Sequence, residues 1–128
     1  MKNHWLDRSL LEFDYYTLCT TEKQYADVLK HLKVRRKDAP PFLNTERAHA
    51  SVHRFVNEGK HAFVVCLGPT AGRDDDQIIA LLVHEAVHLW QGYARAIGEF
   101  APGDEIEAYA IQSLSQSLIT EYRRQRKR

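Results

Sequence analysis

The spacing of hydrophobic positions changes along the chain, and each change marks an element. EFDYYTLCTT, from Glu12 to Thr21, is aromatic and β-branched and predicts a strand. In TEKQYADVLKHL, Tyr25, Val28, Leu29 and Leu32 recur at helical spacing, and Thr20 or Thr21 can cap the helix. KVRRKDAPPFLNTE combines a charge cluster with Pro40–Pro41 and predicts a loop. RAHASVHRFVNEGKHAFVVCLG divides around Asn57–Glu58–Gly59 into two strands of an antiparallel hairpin. GPTAGRDDDQ is a loop whose aspartates favour the start of a helix through its macrodipole. That helix opens on IIALLVHEAVHLWQGY, apolar nearly all round, and runs to about Ile97, with Gly98 as its natural stop. After EFAPG a last helix starts at Asp104 and continues to about Arg123, leaving residues 124–128 as a frayed basic tail. The order β-α-β-β-α-α predicts one α+β domain over residues 1–128, an antiparallel sheet packed on the long helix with the last helix closing on it.

Composition narrows the class. A chain of 128 residues, 44% hydrophobic and 27% charged, fits a single soluble globular domain. A net charge of +1 gives no global electrostatic reason to expect a nucleic-acid partner, and EYRRQRKR alone is a weak signal for one. Cys19 and Cys66 are too few for a disulfide framework and read as small buried hydrophobes. The longest apolar run, Ile78 to Val83, is far too short to span a membrane, and the N-terminus lacks the apolar core of a signal peptide. The expected location is the cytoplasm.

The long helix then raises a chemical question. Its apolar interior holds His84, Glu85 and His88, and ionisable groups in such a setting cost kilocalories unless paired or metal-bound. His84 and His88 stand one turn apart on one face with Glu85 beside them, the H-E-x-x-H pattern of a catalytic zinc site. Seven histidines raise the chance of a random match, so the helical context matters as much as the motif. The chain carries its own control in HASVH. There His49 and His53 lie in strand-like sequence, about 13 Å apart at the strand rise, too far for one zinc with bonds of about 2.0–2.1 Å. Those two read as solvent-facing or as outer supports of the site. Trp90 and Tyr93 fall on the apolar back of the helix and read as core.

Over Ala80 to Gln112 the sequence resembles the gluzincin metallopeptidases, the thermolysin-like class, and is similar to small bacterial and phage proteins with the same motif. HEAVHLWQ followed by DEIEAYAIQ carries the resemblance. It implies a small zincin-like domain that hydrolyses peptide bonds with one zinc ion, held by His84, His88 and a glutamate of the following helix, and with Glu85 as general base. Endopeptidase and aminopeptidase action are both open. The third ligand is either Glu105 or Glu107. On a helical wheel Glu107 points among Ile111, Leu114 and Leu118, whereas Glu105 shares the polar side with Tyr109, Gln112 and Gln116. An open coordination site needs solvent, which favours Glu105. Glu107 can instead close a capping box with Asp104. Spacing argues the other way, because the eighteen residues between His88 and Glu107 resemble the aminopeptidase branch.

Many gluzincins also place an aspartate four residues after the ligand glutamate, to orient a histidine; here that position is Tyr109. Its hydroxyl could take that supporting role or assist the developing oxyanion, for which Tyr93, His61 and His53 are further candidates. By the same resemblance HAFVVCLG is the edge strand on which a peptide or protein substrate docks. A metal-binding module of this fold without turnover, and a nucleic-acid adaptor using the basic tail, are the competing readings.

Overall fold

A computed structural model describes residues 4–6, 14–45, 47–57 and 59–127. Strand β1 is Tyr15–Cys19, and helix α1 is Glu22–His31. Strands β2, Ala50–Asn57, and β3, Lys60–Leu67, precede the two long helices α2, Asp75–Ala96, and α3, Asp104–Arg126. The architecture is α+β. Residues 12–13, included in the expected first strand, lie outside the described residues.

Local chemistry sets the boundaries. The Thr21 hydroxyl accepts from the Gln24 backbone N–H and starts α1. Asp74 and Gln77 form a reciprocal capping box at the head of α2. Its far end stops before Gly98, whose φ of +84° suits a residue without Cβ. β2 and β3 pair as an antiparallel hairpin, with Gly59 at φ +77° just before β3. At α3 the expected capping box is absent: Gly103 is the N-cap, no side chain caps, and Asp104 is already helical.

The sheet departs from the antiparallel expectation. Its order is β1-β3-β2, with β2 antiparallel and β1 parallel to β3. β3 is therefore the central strand, not the edge strand on which substrate was expected to dock. The reason is visible in its side chains: Ala62 to Leu67 are all buried, as a strand covered on both faces requires. β2 alternates buried with more exposed positions and forms the outer edge. Helices cover both faces. α1 packs with Cys19, Val64, Cys66 and Phe55 on one side. On the other, α2 and α3 bury Leu82, Leu89, Trp90, Tyr93, Leu114 and Leu118 against Tyr16, Leu18, Phe63 and Val65.

Residues 124–126 of the basic end, expected to fray, are helical. α3 continues to Arg126; Arg124 pairs with Glu121 at 2.6 Å, and Arg126 with Asp75 at 2.6 Å. Gln125 is buried and donates to the Leu18 carbonyl, tying the last turn to β1. Among the described residues no helix is long and apolar enough to cross a membrane.

Candidate active site

α2 is buried on the side facing the sheet and α3, and the two motif histidines fall outside that stripe. His84 and His88 are exposed, and their Nε2 atoms stand 3.2 Å apart. Two imidazole nitrogens sharing a tetrahedral zinc at about 2.0–2.1 Å would be separated by about 3.3 Å, so the spacing fits a common ion. It also fits one Nε2–H donating to the other ring. His88 carries a further signal. Its Nδ1 lies 3.2 Å from the Gln91 side-chain oxygen, which can only accept. With the proton on Nδ1 the ring would present its Nε2 lone pair, as a metal ligand must.

Glu85, between His84 and His88 in sequence, is buried. It is 5% exposed and lines a cleft of about 410 Å³ between α2 and the edge strand β2. His84, His88 and Gly92 line the same cleft from α2; Val52 and Arg54 face them from β2. The Glu85 carboxyl accepts no hydrogen bond among the described residues. Burial pushes its pKa above the ordinary carboxylate value, and the nearby imidazoles partly counter this. The side chain is thus packed on most sides while its carboxyl oxygens, which have no donor, open on the cleft, a setting useful for a base.

The cleft has a floor because of Gly92. A Cβ there would stand 2.9 Å from Cε1 of Phe63, so only glycine lets the β3 ring lie this close to α2. On that ring rests the Arg54 guanidinium, 5.5 Å from the centroid.

The other expected site residues are not brought to the histidines. Glu107 accepts a hydrogen bond from the Trp90 indole at 3.0 Å. At about 100° per residue Trp90 lies roughly 160° around α2 from His88, on the flank that meets α3. Glu105 is exposed on α3 and has no ion pair or hydrogen bond among the described residues. Among those residues no third histidine, cysteine, aspartate or glutamate converges with His84 and His88. Tyr109 is 66% exposed and does not line the cleft; Tyr93 is core. His49 is exposed as expected, but His53 is not. It is buried on the α1 face, where its Nε2–H donates to the Phe42 carbonyl at 3.0 Å. His61 accepts at Nδ1 from Arg54.

Sequence reasoning missed Gln91, Gly92 and Arg54. Gln91 was signalled by its position three residues after His88 on the same helix. Gly92 continues the 84–88 face by one more turn, inside a helix where glycine needs a packing reason. Arg54 gave no local signal. Compared with protein-family models, with curated proteins and with solved structures, the chain matches none of them.

Proposed function

We propose that the chain is a zinc-dependent peptidase of zincin-like type, with His84 and His88 as ligands and Glu85 as general base. The observation that carries this reading is Glu85 itself. It is a nearly buried residue whose carboxyl has no hydrogen-bond donor and opens on a cleft beside two imidazoles whose Nε2 atoms are 3.2 Å apart. Zinc at that pair would supply Lewis acidity toward a peptide carbonyl and toward water. Glu85, its pKa raised by burial, takes the proton of the attacking water and returns it to the leaving amine. Gln91 fixes the ring of His88 through Nδ1. β2 has no strand neighbour on its outer side among the described residues, so a peptide can pair along it beside the cleft.

The third ligand comes best from Glu105, whose carboxylate is uncommitted, while Glu107 is held by Trp90. Glu105 would reach the histidines only with movement of the first turn of α3. That requirement favours a second reading: a module of the same fold that binds metal without turnover. One experiment separates them. Metal content is measured on the purified protein, and hydrolysis of a casein digest is followed with and without added zinc. Bound zinc with turnover supports the peptidase; bound zinc without turnover supports the silent module. Failure to take up zinc overturns both.

A further inference from the structure

We propose that Arg54 is a carboxylate-binding group at one end of the cleft, so that the preferred peptide carries a carboxylate close to the bond cleaved. This deepens the peptidase reading and rests on it for the identity of the substrate. Arg54 projects from the edge strand, lines the cleft with His84, Glu85 and His88, and has a side chain 32% exposed. Its contacts are lopsided. Nη2 serves both Asp14 Oδ1, at 3.3 Å, and His61 Nδ1, at 3.2 Å. Nε and Nη1 have no partner among the described residues, leaving three N–H donors of a planar fork unused. A lysine would suffice to neutralise buried Asp14, which is 1% exposed. A guanidinium held by one nitrogen, its Cζ 5.5 Å from the Phe63 ring centroid and its other nitrogens free, is set to take two oxygens at once.

Position and charge limit the ligand. Phe63 touches Gly92, which is one turn beyond His88 and so about 6 Å farther along α2. Extended peptide advances about 3.4 Å per residue, which puts the carboxylate one or two residues from the bond at the histidines. Asp14 already offsets the charge of Arg54, so recognition depends on the geometry of the fork more than on net attraction. The carboxylate is either the free C-terminus of a peptide or an aspartate or glutamate side chain.

The test uses the zinc-loaded full chain and three probes: N-acetyl-dialanine, its C-terminal amide, and N-acetyl-Ala-Asp with an amidated C-terminus. Binding is read from NMR shifts of the Arg54, Phe63 and Gly92 amides, and hydrolysis from the alanine, alaninamide or aspartic acid α-amide that the three probes respectively release in the same tube. A carboxylate probe should bind at least about tenfold more tightly than the neutral amide, since charge-assisted pairs exceed neutral ones by that order. Preference for the first probe assigns a C-terminal carboxylate, and preference for the third assigns a side chain. Arg54→Lys, which still neutralises Asp14, should cut the preference to within about twofold. If that variant does not fold, the double change Asp14→Asn with Arg54→Gln removes the charge pair together. Equal binding of acid and amide by the wild type, or a preference that survives in Arg54→Lys, overturns the proposal. Carboxylate binding without product release keeps the Arg54 site and removes the peptidase reading. Equal hydrolysis of acid and amide probes with no binding preference does the opposite.

Discussion

His84 and His88 turn their Nε2 atoms toward each other across 3.2 Å on the exposed side of α2, while Glu85, next to His84, is buried. One helical turn thus holds two solvent-facing imidazoles and one carboxyl whose charged form is disfavoured by burial. If that arrangement is a metal site, His84→Ala or His88→Ala abolishes zinc uptake measured by isothermal titration. Both residues are exposed, so the melting temperature of the metal-free protein should change little, within about 0.5 kcal/mol of stability. His49→Ala should leave zinc uptake unchanged, because His49 lies outside the cleft. Zinc uptake that persists in both motif variants would place the metal elsewhere.

Glu85→Gln should retain zinc and lose hydrolysis by a factor of about 100 or more, since it removes only the proton acceptor. The same change should slightly stabilise the fold near neutral pH. Burial holds the carboxyl above its usual pKa, so its charged form is disfavoured in the folded state, and a neutral amide avoids that cost. Loss of metal in this variant would show that Glu85 is a ligand and not the base.

The helix and its motif were legible because a run from Ile78 to Tyr93 is long, apolar and flanked by strong boundary signals at Asp74 and Gly98. The hairpin was legible for the same reason, through Gly59. Sheet order was also written in the chain: Ala62–Leu67 is continuously apolar while Ala50–Asn57 alternates, which marks the centre and the edge. Family resemblance pointed instead to β3 as the edge. The Glu107–Trp90 bond and the Asp14–Arg54–His61 cluster join residues 17 and 40 positions apart for their first pairs. Local periodicity carries no information on such contacts; they depend on how the layers stack.

His53 gives the protein a measurable pH response. Burial lowers its pKa below the ordinary 6.5, although its bond to Phe42 works against this. The unfolded chain therefore binds the proton more readily. His53 contributes its full stability above about pH 6.5, and that contribution is lost as the pH falls through the folded value. Urea unfolding at about pH 7.5 and about pH 5 should show a stability loss at the acid end. His53→Gln, which keeps a side-chain donor without the titration, should flatten that part of the difference. An unchanged slope in the variant would mean that another group sets it.

Gly92→Ala tests the close approach of α2 to the sheet. Alanine is the better helix former, so propensity alone predicts stabilisation of about 1 kcal/mol. The new Cβ, however, would meet Cε1 of Phe63 at 2.9 Å and Cζ at 3.3 Å, and Phe63 is a fully packed ring. Overpacking of this kind costs about 1–3 kcal/mol, so net destabilisation is expected in thermal melts. Stabilisation would show that the ring can move aside, and that the floor of the cleft is soft.

The third ligand is the point on which geometry and motif pull apart. Glu107 is bonded to the Trp90 indole at 3.0 Å on the flank of α2 away from the histidines, and no capping box ties it to Asp104. Glu107→Gln keeps a side-chain oxygen for that indole and should cost less than about 1 kcal/mol. It should leave zinc affinity unchanged. Glu105 is exposed and uncommitted, so Glu105→Gln should cost no measurable stability. If the first turn of α3 brings Glu105 to the histidines, the same change should weaken zinc binding by about tenfold or more. Titration of both variants with zinc, beside melts of their metal-free forms, decides between them. Should Glu107→Gln be the variant that loses zinc, the indole bond must give way on metal binding and the spacing from His88 was the better guide. Equal affinity in both would leave His84 and His88 as a two-imidazole site and favour the module without turnover.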